Sequence, residues 1–347
     1  MSISKMRTRY LAPGIAMTAV SIYTALAPSD ANAHHVTVAG PAGFAGPINT
    51  ETADTLPQGK FSVSVQAQTD NYEEFSNDDL EGFATGGIEG VHNTDAAYIA
   101  SLAGQYGVTD DFSIGVVAPY VLRYGIREGE VDHGDTHTHI LGDARGFGDL
   151  VVSAKYRVLS RVEDDFSLAF IAGVKAPTGE TEEVSLGHDH NLFETEFQPG
   201  SGSWDPHFGI AAGKNSGPFS VDGNVRYTVA TKGDQDTNLG DKFAYNLGLS
   251  YRIGEGAHTH DDGTFERHHA LDLIVEFNGL WGERQRVGDF IDPHSGGTQL
   301  FVSPGLRYSS PWGWNSFVSV GFPVYEDLNG IQNETDIRGT FGIGASF

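Results

Sequence analysis

The sequence predicts an all-β fold, a transmembrane antiparallel up-and-down β-barrel of about twelve strands. Three observations predict it. Apolar and polar residues alternate with period two from Lys60 onward, the connections alternate between long and short, and aromatic residues gather at the strand ends.

Ahead of the strands, Lys5, Arg7 and Arg9 give a positive amino-terminal region, and residues 11–27 are largely apolar. Ala31-Asn32-Ala33 then offers a small-x-small cleavage pattern, so residues 1–33 read as a signal peptide. Pro28 disfavours cleavage after Ala27, whereas Pro13, Gly14 and several hydroxyls argue against a membrane anchor. Cleavage would leave His34-His35 at the start of the mature chain. Residues 34–59 lack alternation and are expected to form a periplasmic lead-in or a small plug before the barrel at 60–347.

The first strand sets Phe61, Val63, Val65 and Ala67 against Ser62, Ser64, Gln66 and Gln68. Apolar positions then recur as Tyr98, Ala100, Leu102 and Tyr106, as Phe112, Ile114 and Val116, and as Leu150, Val152, Ala154 and Tyr156. The fifth strand has Phe166, Leu168, Phe170 and Val174, the sixth Trp204, Phe208 and Ile210, and the seventh Phe219, Val221, Val225 and Tyr227. Phe243, Tyr245, Leu247, Leu249 and Tyr251 mark the eighth, and Leu271, Leu273, Val275, Phe277 and Trp281 the ninth. Leu300, Val302, Leu306 and Tyr308 form the tenth; Val318, Val320, Phe322 and Val324 form the eleventh. The last alternates through Ile337, Phe341 and Ile343 to Phe347, the pattern of an outer-membrane insertion signal. Each segment has room for roughly nine to eleven residues, the length a tilted strand needs to cross a bilayer.

A soluble sandwich would alternate as well. The long connections (71–94, 127–147, 177–202, 231–241 and 283–297) follow odd strands, and short ones such as Val108-Thr109-Asp110-Asp111 follow even strands. Long outer loops with short periplasmic turns are the outer-membrane arrangement. Phe61, Tyr106, Phe112, Tyr156, Phe166, Phe219, Tyr251, Tyr308 and Phe347 fall at the short-turn end, as an aromatic girdle would. Tyr98, Trp204, Tyr227, Phe243 and Trp281 suggest its counterpart.

The polar faces carry charges of both signs: Asp149, Lys155, Arg157, Lys175, Asp205, Asp222, Arg226, Arg252, Asp272, Glu276, Arg307 and Arg338. In a closed barrel these line the lumen together with His207, where pairing offsets their desolvation. Phe301 and Phe317 are apolar exceptions on those faces. There is no cysteine, so no disulfide holds an exported chain together. The formal net charge of −25 excludes nucleic acid as a natural partner and favours cations.

Several motifs carry a family resemblance. They are Gly46-Pro47-Ile48-Asn49-Thr50, Thr55-Leu56-Pro57-Gln58-Gly59-Lys60, Tyr106-Gly107-Val108-Thr109-Asp110-Asp111 and Gly146-Phe147-Gly148-Asp149-Leu150. Lys175-Ala176-Pro177-Thr178-Gly179-Glu180, Phe197-Gln198-Pro199-Gly200-Ser201-Gly202-Ser203-Trp204-Asp205-Pro206 and Thr237-Asn238-Leu239-Gly240-Asp241 complete the set. Over residues 46–347 the chain resembles the outer-membrane transporters of the meta-pathway phenol-degradation family. The resemblance implies an outer-membrane barrel with a transport role, and it supplies no catalytic or ligand residues.

Fourteen histidines lie mostly in connections. Asp132, His133, Asp135, His137 and His139 share the second outer loop, His188 and His190 the third, and His258 and His260 a long even-side connection. In extended backbone, His-x-His sets two imidazoles on one side about 7 Å apart. With carboxylates nearby, such tracts suit Zn²⁺, Cu²⁺ or Ni²⁺, although solvated polar loops have the same composition.

Four functions follow as alternatives. The first is a channel for small solutes, drawing cations or divalent metals through its acidic and histidine-rich loops. The second takes up small aromatic or hydrophobic compounds, the third is a structural or surface-interaction barrel, and the fourth is an enzyme, for which no catalytic set is visible. No cofactor is required beyond a weakly bound divalent metal. The expected partners are outer-membrane lipid and lipopolysaccharide, the barrel-assembly machinery, and the solute or cation.

Overall fold

Twelve antiparallel strands form the wall, and the reason is the alternation itself. The computed structural model describes residues 47–88, 90–161, 165–186, 191–255, 257–259 and 265–347. The expected signal peptide, His34-His35, His188, His190 and His260 lie outside the described residues. The strands are β1 (Phe61–Tyr72), β2 (Ala96–Thr109), β3 (Phe112–Asp132), β4 (Leu150–Arg161), β5 (Phe166–Ala176) and β6 (Asp205–Ser216). They continue as β7 (Phe219–Thr228), β8 (Lys242–Gly254), β9 (Ala270–Gly282), β10 (Gly297–Ser309), β11 (Trp314–Leu328) and β12 (Thr335–Ser346).

Sequential strands pair throughout, and β1 pairs with both β2 and β12, so the wall closes on itself. Closure leaves no edge whose amides would face lipid unpaired. Apolar side chains point outward: Val63, Leu102, Val116, Phe170, Ile210, Leu273 and Phe341 are all exposed on the outer surface. Polar ones point inward: Ser64, Ser113, Asn224, Ser303, Asn315 and Ser319 are buried. This is the reverse of a soluble sandwich, and it makes the chain an outer-membrane barrel.

Aromatic residues sit where the girdles were expected. Phe61, Tyr106, Tyr156, Phe219, Tyr251 and Phe347 are exposed at the short-turn end, and Tyr98, Trp204, Tyr227 and Trp281 at the other. Phe347 stacks on Phe61 with ring centroids 4.9 Å apart, and the two residues exchange backbone hydrogen bonds.

The long-loop end departs from expectation. Residues 127–147, expected as a loop, are extended: β3 overshoots the wall and pairs with a return strand, Asp135–Phe147. Amides above the wall gain partners this way, and His133 (φ 52°) with Gly134 (φ 93°) supplies the two left-handed residues a tight hairpin turn requires. The connection after β1 also holds a helix, α1 (Asn77–Thr85), started by a Ser76–Asp79 capping box. The helix leans on the hairpin: Thr138 Oγ1 donates to Asn77 O (3.3 Å), and Arg127 to Asn77 Oδ1 (2.9 Å). At the opposite end, Ala257–Thr259 and Phe265–Arg267 pair as a small hairpin that carries the backbone of His258.

An ion pair reinforces the backbone ladder at the seam between β1 and β12. Arg338 stands opposite Asp70, donates to it at 2.6 Å, and lies over the Phe301 ring at 4.2 Å. Asp70→Ala should lower barrel stability by about 2–3 kcal/mol, because Arg338 keeps its desolvation and loses its partner. Urea titration followed by heat-modified gel mobility measures the loss. The double variant Asp70→Leu, Arg338→Met should recover part of it.

Candidate functional site: the lumen and its outer chamber

Residues 47–56 lie inside the barrel, held by the charges that alternation turned inward, and Pro57 and Gln58 bring the chain to the short-turn rim. Glu276 on β9 accepts from the backbone amides of Asn49 (2.9 Å) and Thr50 (2.7 Å) and from Asn49 Nδ2 (3.0 Å). Arg307 donates to Pro47 O at 3.0 Å. Glu51 is buried between Lys155 (3.2 Å) and Arg226, and Lys155 also donates to Thr52 O (2.7 Å). Nearer the short turns, the Leu56 amide donates to Ser113 Oγ (2.9 Å) and Thr55 Oγ1 to Asp110 O (2.6 Å). Backbone space is made by Gly248, where a Cβ would come within 2.5 Å of the Pro47 side chain.

Several further inward charges are also partnered. Asp272 takes two hydrogen bonds from Arg252 (2.7 and 2.9 Å), and both line a small cavity of about 30 Å³ with Asp222. Lys175 bridges Asp205 (2.7 Å) and Asp149 (3.3 Å), and Asp149 accepts the amides of Gly179 and Ser201 at 2.9 Å each. His207 Nε2 meets Ser153 Oγ at 2.9 Å, within the lumen network. Arg157 sits at the short-turn rim, paired with Asp111 at 2.9 Å.

On the loop side of residues 47–58 the barrel holds a chamber of about 430 Å³. Arg123, Lys242 and Arg338 face it beside Tyr72, Leu280 and Gln299, and His92, Glu196, Phe197 and Gln285 form its roof. Arg123 donates to the carbonyls of Phe197 and Gln198 at 3.1 Å each, which ties the roof to the wall. Ile126, Ala144, Phe193 and the roof residue Phe197 make a small apolar core.

The expected metal residues are divided. His133 stands at the hairpin tip in contact with Asp132, fully in solvent, and Asp135 is exposed beside it. His137 and His139, one turn of pleat further down, come together with Nε2 atoms 2.8 Å apart. Glu130 joins them, 3.4 Å from His139. Sequence reasoning missed Glu130, whose place opposite His137 follows only once the segment is a hairpin. It also missed His92, Glu194 and Glu196, a second group of candidate ligand atoms assembled from two distant loops.

His92 is buried in the roof with Nε2 3.1 Å from Glu128 and Nδ1 3.9 Å from Glu196. Burial works against its charged form, but the Glu128 hydrogen bond and the charges of Glu194, Glu196 and Glu128 outweigh it and raise the pKa to about 9. Burial, with Glu194 and Asp292 close by, pushes the Glu196 carboxyl above its usual range.

The sequence family described as "Putative MetA-pathway of phenol degradation" matches residues 44–327. Among solved structures, the chain is similar to an outer membrane channel from Pseudomonas putida F1, 15% identical, with 85% of this chain and 98% of that chain covered and a TM-score of 0.59. It is also similar to the KdgM porin (10% identical, 82% and 99% covered, TM-score 0.40) and the CymD monoaromatic hydrocarbon channel (10%, 84% and 89%, TM-score 0.39). At these identities the likeness is one of fold. No curated protein matches the chain in sequence.

Two measurements check this arrangement. Glu276→Gln and Gly248→Leu should each loosen residues 47–58; losing a charged hydrogen bond costs about 1.5–3 kcal/mol, so the released fraction should rise about tenfold or more. Protease cleavage within 47–58 in an otherwise folded barrel reads that fraction. Separately, His92 stabilises the roof fully below its unfolded value near 6.5, and this contribution is lost as pH rises through about 9. Proteolysis at 191–198 should therefore accelerate between pH 7 and 10, and His92→Ala should remove that pH dependence.

Proposed function

The chain belongs to the phenol-degradation family described above, and from that premise we propose that this outer-membrane barrel is a passive channel for small aromatic compounds. The observation that carries the reading is the outer chamber. At about 430 Å³ it is within the range of small-molecule sites, inside a lumen otherwise filled by paired charges and residues 47–56. Its lining sets Tyr72, Phe197 and Leu280 beside Arg123, Lys242 and Arg338. Apolar surface suits a ring, and fixed cations suit its π-face or an attached carboxylate or phenolate.

A channel selecting cations, the first expectation from the acidic composition, has less support. Three basic side chains, Arg123, Lys242 and Arg338, face the chamber against two acidic ones, Glu196 and Glu283, although the chain as a whole is strongly acidic. The Pseudomonas putida relative is described as an outer membrane channel, which supports permeation through this fold. The proposed role involves no chemistry of the barrel's own and no required cofactor. Residues 47–56 fill the inner half, so passage requires them to shift. That same packing favours, as a second reading, a barrel that does not transport.

Liposome swelling with the reconstituted protein separates the two. Benzoate or phenol should enter faster than a disaccharide of similar charge state, and Arg123→Ala with Lys242→Ala should lower the benzoate rate several-fold while sparing phenol. No permeation of any solute, even after residues 47–58 are loosened by Gly248→Leu, would leave the non-transporting barrel.

A further inference from the structure

The outer hairpin carries a feature that the channel reading does not use. His137 and His139 lie two apart on the return strand, so they share one face. Glu130 is the registered cross-strand neighbour of His137 and therefore points the same way. Thr138, between the two histidines, turns to the opposite face and bonds to α1 through Asn77 O and Glu81. Helix packing on one side thus fixes the direction of the rings on the other.

The three potential ligand atoms converge. His137 Nε2 and His139 Nε2 are 2.8 Å apart, with ring centroids at 4.7 Å, and Glu130 Oε2 lies 3.4 Å from His139 Nε2. Metal–nitrogen bonds of about 2.0–2.1 Å in a tetrahedron hold neighbouring donors about 3.3–3.4 Å apart. Spreading the two rings by about half an ångström would admit an ion, a change within reach of side-chain torsions alone.

The backbone here is a paired hairpin braced by a helix, unlike the outer loop expected from sequence. Glu128 stands opposite His139 on the next rung, with its carboxylate held by His92 at 3.1 Å. By contrast, His92, Glu194 and Glu196 form a salt-bridge cluster, because the His92 ring already bonds Glu128 through Nε2. Solvent reaches Glu130, whose side chain is half exposed, so an ion could arrive from outside.

We propose that Glu130, His137 and His139 form a binding site for a borderline divalent cation, Zn²⁺, Cu²⁺ or Ni²⁺, on the outer hairpin. Two imidazole nitrogens and one carboxylate oxygen, with a position left for water, suit these ions better than Ca²⁺ or Mg²⁺. Bound metal would link β3 to its return strand above the membrane. The proposal concerns binding and does not depend on what the barrel transports.

The test uses the untagged full mature chain in detergent micelles, with folding of every variant checked by heat-modified gel mobility. Zn²⁺ titration by calorimetry should show a site that His137→Ala or His139→Ala weakens by about tenfold to a hundredfold, Glu130→Gln less, and His133→Ala not at all. Cu²⁺ bound at one equivalent should show two imidazole nitrogens in its electron paramagnetic resonance spectrum, and neither should persist in the His137→Ala, His139→Ala double variant. If the double variant binds as tightly as the parent, or if His133→Ala weakens binding as much as His139→Ala, the proposal is overturned.

Discussion

Hydrocarbon offers no hydrogen-bonding partner, and every other feature of this protein follows from how its backbone meets that constraint. A peptide group left unpaired in lipid costs several kcal/mol, so a sheet can cross only by closing on itself. Here closure is made where β1 meets β12, along a register that runs from Ser62↔Ser346 to Tyr72↔Thr335. Once the ring is closed, the pleat decides everything about side chains: one parity faces lipid and the other the lumen.

The inward parity brings charge into a confined space, and that charge could persist only in pairs. The wall supplies Lys155, Arg226, Glu276 and Arg307, and residues 47–58 supply Glu51, backbone amides and carbonyls to meet them. The lead-in segment is thereby part of the lumen's electrostatic balance. It also sets the shape of the open space. With the short-turn half filled, the remaining volume becomes a chamber beneath the outer loops, where Arg123 serves both as chamber wall and as anchor for the roof.

Above the membrane the constraint changes, since water can satisfy a loop's backbone. The structure nevertheless continues as hairpin and helix. Pairing β3 with Asp135–Phe147 converts a polar, histidine-rich stretch into a surface with defined faces. Rigidity of this kind separates a set of potential ligands from a merely polar loop. It is also why His137 and His139 differ so much from His133, only a few residues away at the tip.

Sequence by itself determined the class of fold, the approximate number and the order of the wall strands, their inward and outward faces and the aromatic ends. Each of these is a local consequence of a two-residue period read against a bilayer, and residues such as Val63 and Ser64 declare their faces without reference to any neighbour. The identity of the inward charges was equally legible; their pairing was not. That Glu276 would hold Asn49 and Thr50, or that Lys175 would join Asp149 to Asp205, depends on strand stagger and on a segment far away in the chain. The histidine tracts were visible, but which histidines meet was not. Only tertiary structure decided that β3 overshoots the wall, places Glu130 across from His137, and leaves His133 in solvent, because cross-strand register above the membrane answers to a turn and a packed helix, while periodicity reports only which face a residue would take.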